Sequence, residues 1–226
     1  MGAVAGPAPA GTRRELPASP PGRPIPVDGP DRLPELLAGA DLYVSAAPAE
    51  AERENLPRVG ALGRPAIVAA TGFRPDDAAW IDRVSRQIPL LLEPNFALGV
   101  RLLARALSAI GPVPAGFDLS IVEAHRRGKR DRPSGTAADL GLRAQRSMPL
   151  APLPETVSLR AGDLPGIHQI WITGPHELIR FEHLVLDRAA FAEGMLWAAR
   201  RLWDRRAALP ARRYSLDELW PSPEAP

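Results

Sequence analysis

Three short apolar runs separated by helical patterns constrain this chain more than any other feature. Leu42–Ala46, Pro65–Ala69 and Ile88–Leu92 are too short for helices and lack polar alternation, the mark of strands buried on both faces. Glu50–Leu62 lies between the first two with helical spacing. Thr71-Gly72-Phe73 then turns into a second helix opened by Pro75-Asp76-Asp77, residues that suit a first turn. A short helix through Leu33, Leu36 and Leu37 precedes them, with Asp31 as its expected cap and Gly39 as its stop. Strands alternating with helices predict a parallel sheet in a doubly wound unit.

The second half changes character. A helix over Phe96–Ile110 is stopped by Gly111-Pro112, and Leu119–Glu123 reads as a strand leading into His125. Thr136–Met148 has helical spacing. Strand patterns follow at Val157–Arg160, Ile167–Thr173 and Leu178–Val185, then a helix from Arg188 to Arg205 carrying Phe191, Met195, Trp197 and Leu202. Ile170, Ile172, Ile179 and Phe181 alternate with polar neighbours, as in a sheet with one buried face. The other face of such an open sheet often pairs with its own copy in an oligomer. The fold class expected is α/β: a truncated Rossmann-like parallel sheet followed by an α+β region. Proline-rich stretches at 7–34 and 149–154 read as irregular, because proline removes a ladder donor.

Composition narrows the function classes. Cysteine is absent, which excludes disulfides, thiolate metal sites and a cysteine nucleophile. His125, His168, His176 and His183 show no metal-ligand spacing. No apolar run approaches bilayer length, and the N-terminus lacks a basic segment leading into an apolar one, so a cytoplasmic protein is expected. The arginines at 200–201, 205–206 and 212–213 read as a solvated helix face, since no stacking aromatics accompany them as nucleic-acid binding requires.

Lys129 is the single lysine among 28 lysines and arginines. It stands four residues after His125 and just before Pro133-Ser134-Gly135-Thr136, where a helix begins. A helix N-terminus offers free amides and a dipole to an anion, and Ser134 and Thr136 add hydroxyls. Arg126, Arg127, Arg130 and Arg132 surround the run with positive charge. Residue by residue, this is an ordinary capped helix after a basic loop. As a whole it suits a small acid bound by carboxylates, with an imidazole and an ammonium in reach. His176 and His183 read as solvated or packed, and His168 has no chemical partner visible in sequence.

The run Glu123 to Ala137 resembles the substrate motif of the dihydrodipicolinate reductase family. Ala70-Thr71-Gly72-Phe73, Pro94-Asn95-Phe96-Ala97-Leu98-Gly99-Val100, Arg160-Ala161-Gly162-Asp163 with Gly166 and His168, Phe191-Ala192-Glu193-Gly194 and Ser215–Leu219 resemble further family elements, over about residues 31 to 220. The resemblance implies a nucleotide-binding-like domain over 1–94 with 206–226, and a substrate-binding and oligomerisation domain over 95–205 that forms a homotetramer through its sheets. It implies hydride transfer from NADPH or NADH to a cyclic unsaturated dicarboxylate of the diaminopimelate and lysine pathway. His125 would be the general acid with Lys129 beside it. Arg126, Ser134, Gly135 and Thr136 would hold substrate, and the residues would converge on one anion-sized pocket between the domains. Ala69, Ala70, Thr71, Glu93, Pro94, Asn95 and Phe96 would border the cofactor.

The sequence departs from the family pattern in places. Arg126 and Gly128 stand where the family has further histidines, and Ala69-Ala70 where it has Gly-Thr. Ser45, Ala46 and Ala47 occupy the place of an Asp-Phe-Thr. Met1–Val4 resembles the family's second strand, so the first strand and its phosphate loop are missing, and Gly2, Gly6 and Gly11 do not replace them. The ribose-contacting positions fall near Gly6 and Pro7. Either the chain's true start lies upstream, or the chain has diverged. The alternative reading is a non-catalytic or nucleotide-independent relative that binds a dicarboxylate.

Overall fold

The structure is a computed structural model and describes residues 3–4, 14–16, 25–147 and 152–221. The readings on Gly2, Gly6, Pro7, Gly11, Met148 and Pro149 lie outside these residues. The chain divides into two compact units, Met1–Glu93 with Met195–Pro226, and Pro94–Gly194. The later boundary falls inside a helix, earlier than position 205.

The first unit opens with three short strands, β1 (Ala3–Val4), β2 (Arg14–Leu16) and β3 (Ile25–Asp28), in the order β1-β3-β2. The proline-rich stretch is therefore not wholly irregular. Pro26 within β3 pairs with Glu15 of β2 alone, because the β1 ladder begins at Val27. Asp31 does not cap the next helix. It lies in a 3₁₀ turn, Pro30–Arg32, and the cap position of α1 (Leu33–Ala38) is Arg32, without a side-chain bond.

The expected parallel sheet follows. β4 (Tyr43–Ser45), α2 (Ala49–Ala61), β5 (Ala66–Val68), α3 (Ala78–Ser85) and β6 (Leu90–Leu92) alternate as the pattern predicts. β5 and β6 are buried at every residue, which accounts for their unbroken apolar sequence, whereas the edge strand β4 leaves Val44 exposed and is not buried on both faces. Leu33, Leu37, Leu56, Val59, Ile81 and Val84 of the helices pack against them. Asp77 closes the turn before α3 by accepting from the Arg74 amide and pairing with Arg53, so its carboxyl lies well below the usual range. At the far edge, β11 (Arg213–Tyr214) joins β6 in parallel, giving the order β11-β6-β5-β4. The tail thus covers one sheet edge. Ser215 and Glu218 form a capping box on α7 (Leu216–Leu219), and Glu93 accepts from the Leu216 amide at 2.9 Å.

The second unit holds α4 (Leu98–Ile110), β7 (Asp118–His125), α5 (Gly135–Ser147), β8 (Glu155–Arg160), β9 (Ile167–Thr173) and β10 (Leu178–Leu184). α6 (Ala189–Asp204) carries the chain back to the first unit. α4 starts at Leu98 rather than Phe96, because Asn95 Oδ1 accepts from the Ala97 amide at 2.8 Å and holds the preceding turn non-helical. The sheet order is β10-β9-β7-β8, with β7 and β8 parallel and the other pairs antiparallel. Leu103 and Leu107 of α4 and Leu140 and Ala144 of α5 cover Leu119, Ile121, Ile170 and Ile172 on one face. The opposite face leaves Val157, Leu159 and Leu184 exposed. Ile170, Ile172, Ile179 and Phe181 share one face as their alternation predicts, but only Ile170 and Ile172 on β9 are buried; Phe181 is half-buried and Ile179 is exposed.

Candidate active site

Along the covered face the apolar rows give way, toward the C-terminal end of β7, to a row of ionisable side chains. Ser158, Glu123, His168 and His183 stand opposite one another across β8, β7, β9 and β10. One step further along the same face, His125 lies opposite Arg160. Glu123 is fully buried and meets Arg160 in a fork, Oε1 to Nη2 at 2.7 Å and Oε2 to Nη1 at 2.9 Å. His125 Nδ1 lies 2.5 Å from Glu123 Oε2. Burial raises the Glu123 carboxyl, but hydrogen bonds from Arg160, Ser158 and His125 bring it down to about 2, so it is an anion at neutral pH. Burial lowers the His125 imidazole against the opposing pull of Glu123, with Lys129 and Arg160 lowering it further.

Behind His125 lies His168, 2% exposed, with its ring edge-on at 5.1 Å. Burial, then the His125 and His183 rings, push it down to about 3, so it stays neutral. His183 stacks on it at 5.9 Å and is lowered by burial. His168 therefore has partners that its lone position in the sequence hid. His183, read as solvated or packed, is packed into the same row. Strand register, which the sequence does not print, is the signal that links Glu123, His168 and His183.

The loop after β7 brings the other candidates together. Arg160 Nε and Nη2 donate to the carbonyls of Lys129 and Asp131 at 3.3 and 2.5 Å, tying this loop to the sheet. Lys129 Nζ pairs with Asp131 at 2.9 Å, and the other oxygen of that carboxylate accepts from the Gly135 amide at 3.3 Å. A carboxylate thus already sits between the single ammonium and the start of α5. Burial raises the Asp131 carboxyl, yet Lys129 lowers it on balance. Ser134 turns inward: its Oγ accepts from the Ala137 amide at 3.2 Å, capping α5, and lies 3.4 Å from His168 Nε2. Thr136 Oγ1 accepts from Asn95 Nδ2 at 2.8 Å, which leaves the hydroxyl hydrogen free to donate elsewhere. Arg126 is exposed on the loop.

The expected cofactor residues divide between the units. In the first, Ala69 donates to the Ser45 carbonyl, Ala70 is buried, Thr71 is exposed, and Glu93 is spent on the Leu216 amide. In the second, Pro94 is exposed, Asn95 serves Thr136 and the Ala97 amide, and Phe96 is buried. Gly72, at a φ of +88°, has open space where a Cβ would stand. No glycine-rich strand-to-helix turn among the described residues fits the pyrophosphate of a dinucleotide.

A parallel-sheet unit followed by an α+β unit with a buried histidine–glutamate pair defines a two-unit α/β protein. Residues 99–219 match the family model described as dihydrodipicolinate reductase, C-terminus. The 4-hydroxy-tetrahydrodipicolinate reductase of Exiguobacterium sp. is 33% identical over 73% of this chain and 72% of its own length. That of Rubrobacter xylanophilus is 37% identical over 71% and 67%. Among solved structures, a dipicolinate-bound dihydrodipicolinate reductase from Paenisporosarcina sp. TG-14 shares the fold, with a TM-score of 0.67 at 19% identity over 88% of this chain and 80% of that one. The chain belongs to the dihydrodipicolinate reductase family.

Proposed function

We propose that this chain is a cytoplasmic, NAD(P)H-dependent 4-hydroxy-tetrahydrodipicolinate reductase of diaminopimelate and lysine synthesis. The observation that carries this reading is the Asp131 carboxylate held by Lys129 Nζ and the Gly135 amide, a rehearsal of how a substrate carboxylate would be gripped. Thr136, its hydroxyl oriented by Asn95, adds a donor, and Arg126 supplies charge at the rim. In its doubly protonated form His125 keeps its Nδ1–H on Glu123 and can give up the proton on Nε2. Reduction takes up one hydride and one proton as the ring hydroxyl leaves as water, and His125 gives that proton. A bound nicotinamide nucleotide would supply the hydride. Homotetramer formation fits the exposed apolar face carrying Val157, Leu159 and Leu184.

The reading as an enzyme is favoured over a non-catalytic dicarboxylate-binding relative because both a proton donor and its carboxylate partner are kept. The test is oxidation of NADPH and NADH with 4-hydroxy-tetrahydrodipicolinate generated in situ. Saturable oxidation by the wild type that His125→Asn abolishes supports the enzyme. No oxidation of either nucleotide, with pyridine-2,6-dicarboxylate still bound, favours the non-catalytic reading.

A further inference from the structure

We propose that the buried Glu123–Arg160 pair is a positioning device: Glu123 holds the Nδ1–H of His125 so that Nε2 is the working nitrogen, and Arg160 anchors the loop that carries Lys129. The proposal rests on the reading of His125 as the proton donor.

Four observations converge on it. Both side chains of the pair are almost wholly removed from water, Arg160 at 1% and Glu123 at 0% exposure. Burying two charges costs several kcal/mol per ion before pairing, and apolar residues of similar volume would often serve stability as well. A fold that keeps such a pair has a use for its directionality. Second, both oxygens of the carboxylate are engaged, by two Arg160 nitrogens, by His125 Nδ1 and by the Ser134 amide at 3.4 Å, with the Ser158 hydroxyl beside them. Glu123 therefore touches both the imidazole and the residue that caps α5. Third, the remaining Arg160 donor and a shared one reach the Lys129 and Asp131 carbonyls, so one guanidinium sets the height of the imidazole's partner and of the ammonium's loop together. Lysine cannot make this planar fork. Fourth, the Nε2 edge is kept clear. A Cβ at Gly166, where φ is +142°, would lie 3.3 Å from His125 Nε2.

The charged or titratable groups facing His125 come from every neighbouring element: Glu123 on β7, Arg160 on β8, His168 on β9 and Lys129 in the loop. Glu123 alone among them favours the imidazolium. Removing its charge therefore lowers the His125 proton affinity, and it also frees the ring to choose the other tautomer. A general acid loses activity as pH rises through its own pKa, so the alkaline-side fall of kcat in Glu123→Gln should move to lower pH.

The experiment measures kcat and KM against pH for wild type, Glu123→Gln, the double variant Glu123→Gln/Arg160→Gln, and Arg160→Lys. Nitrogen-15 NMR of the His125 ring reports the tautomer independently of turnover. The double variant leaves no unpaired buried charge and guards against simple misfolding. Both Glu123 variants should shift the limb by about one pH unit or more and lower kcat by about a hundredfold near neutrality, with little change in KM for Glu123→Gln and a raised KM for the double variant, which also frees the Lys129 loop. Arg160→Lys, which loosens the Lys129 loop, should raise KM as well. An unshifted limb together with an unchanged ring tautomer in folded Glu123 variants overturns the positioning role. Undiminished turnover in His125→Asn overturns the reading beneath it instead.

Discussion

Asp131 presents its carboxylate to Lys129 and to the Gly135 amide, so it competes with any acid that enters. Asp131→Asn keeps the shape and removes the competing charge. Pyridine-2,6-dicarboxylate should then bind about three- to tenfold tighter by calorimetry, the order of one weak ion pair. Weaker binding would mean that Asp131 holds Lys129 in place rather than standing in for a ligand. At this scale the sequence was partly legible. Lys129 stood out because it is the single ammonium, and Gly135 and Thr136 because they open a helix. The partners of His125 and His168 were not legible, since Glu123–His168 and His125–Arg160 are cross-strand pairs and nothing in either segment encodes its neighbour's register.

Elements were read more easily than their joints. The buried strands β5 and β6 and the alternating β9 follow their periods, because burial on two faces or one writes itself directly into sequence. The starts of α1 and α4 shifted, because Arg32 caps without a side chain and Asn95 spends its oxygen on the Ala97 amide. One joint is demanding. A Cβ on Gly194 would lie 1.7 Å from the Phe96 carbonyl oxygen, far inside contact distance, so α6 can pass the Pro94–Ala97 turn only with glycine there. Gly194→Ala should destabilise the chain by about 1–3 kcal/mol or more, seen as a lower urea midpoint. An unchanged midpoint would mean that α6 and the turn move apart freely.

For the molecule as a whole, the buried histidine row ties stability to pH. A free histidine takes up its proton near 6.5, whereas His168 in the fold does so only near about 3. Above 6.5 neither state binds the proton. As pH falls below 6.5 the unfolded chain gains a proton that the fold refuses, and stability is lost progressively down to the folded value. Between about pH 7 and 5 this costs about 2 kcal/mol. Glu123 adds a further loss from about 4.5 down to about 2, where its carboxylate is finally protonated. Urea unfolding followed by tryptophan fluorescence at both pH values should show the decline, and His168→Asn should flatten it. A wild-type curve that does not change between them would contradict a neutral, buried His168.

The account as a whole stands on one claim, that Lys129 and the start of α5 grip a substrate carboxylate beside His125. Calorimetric titration of pyridine-2,6-dicarboxylate into wild type, Lys129→Ala and Lys129→Arg tests it most directly. Lys129→Ala should lose about 1.5–3 kcal/mol, roughly ten- to a hundredfold in affinity, the worth of one charge-assisted hydrogen bond. Lys129→Arg should recover only part, since a guanidinium is larger and planar where a compact ammonium fits. Equal affinities for all three proteins would contradict the claim.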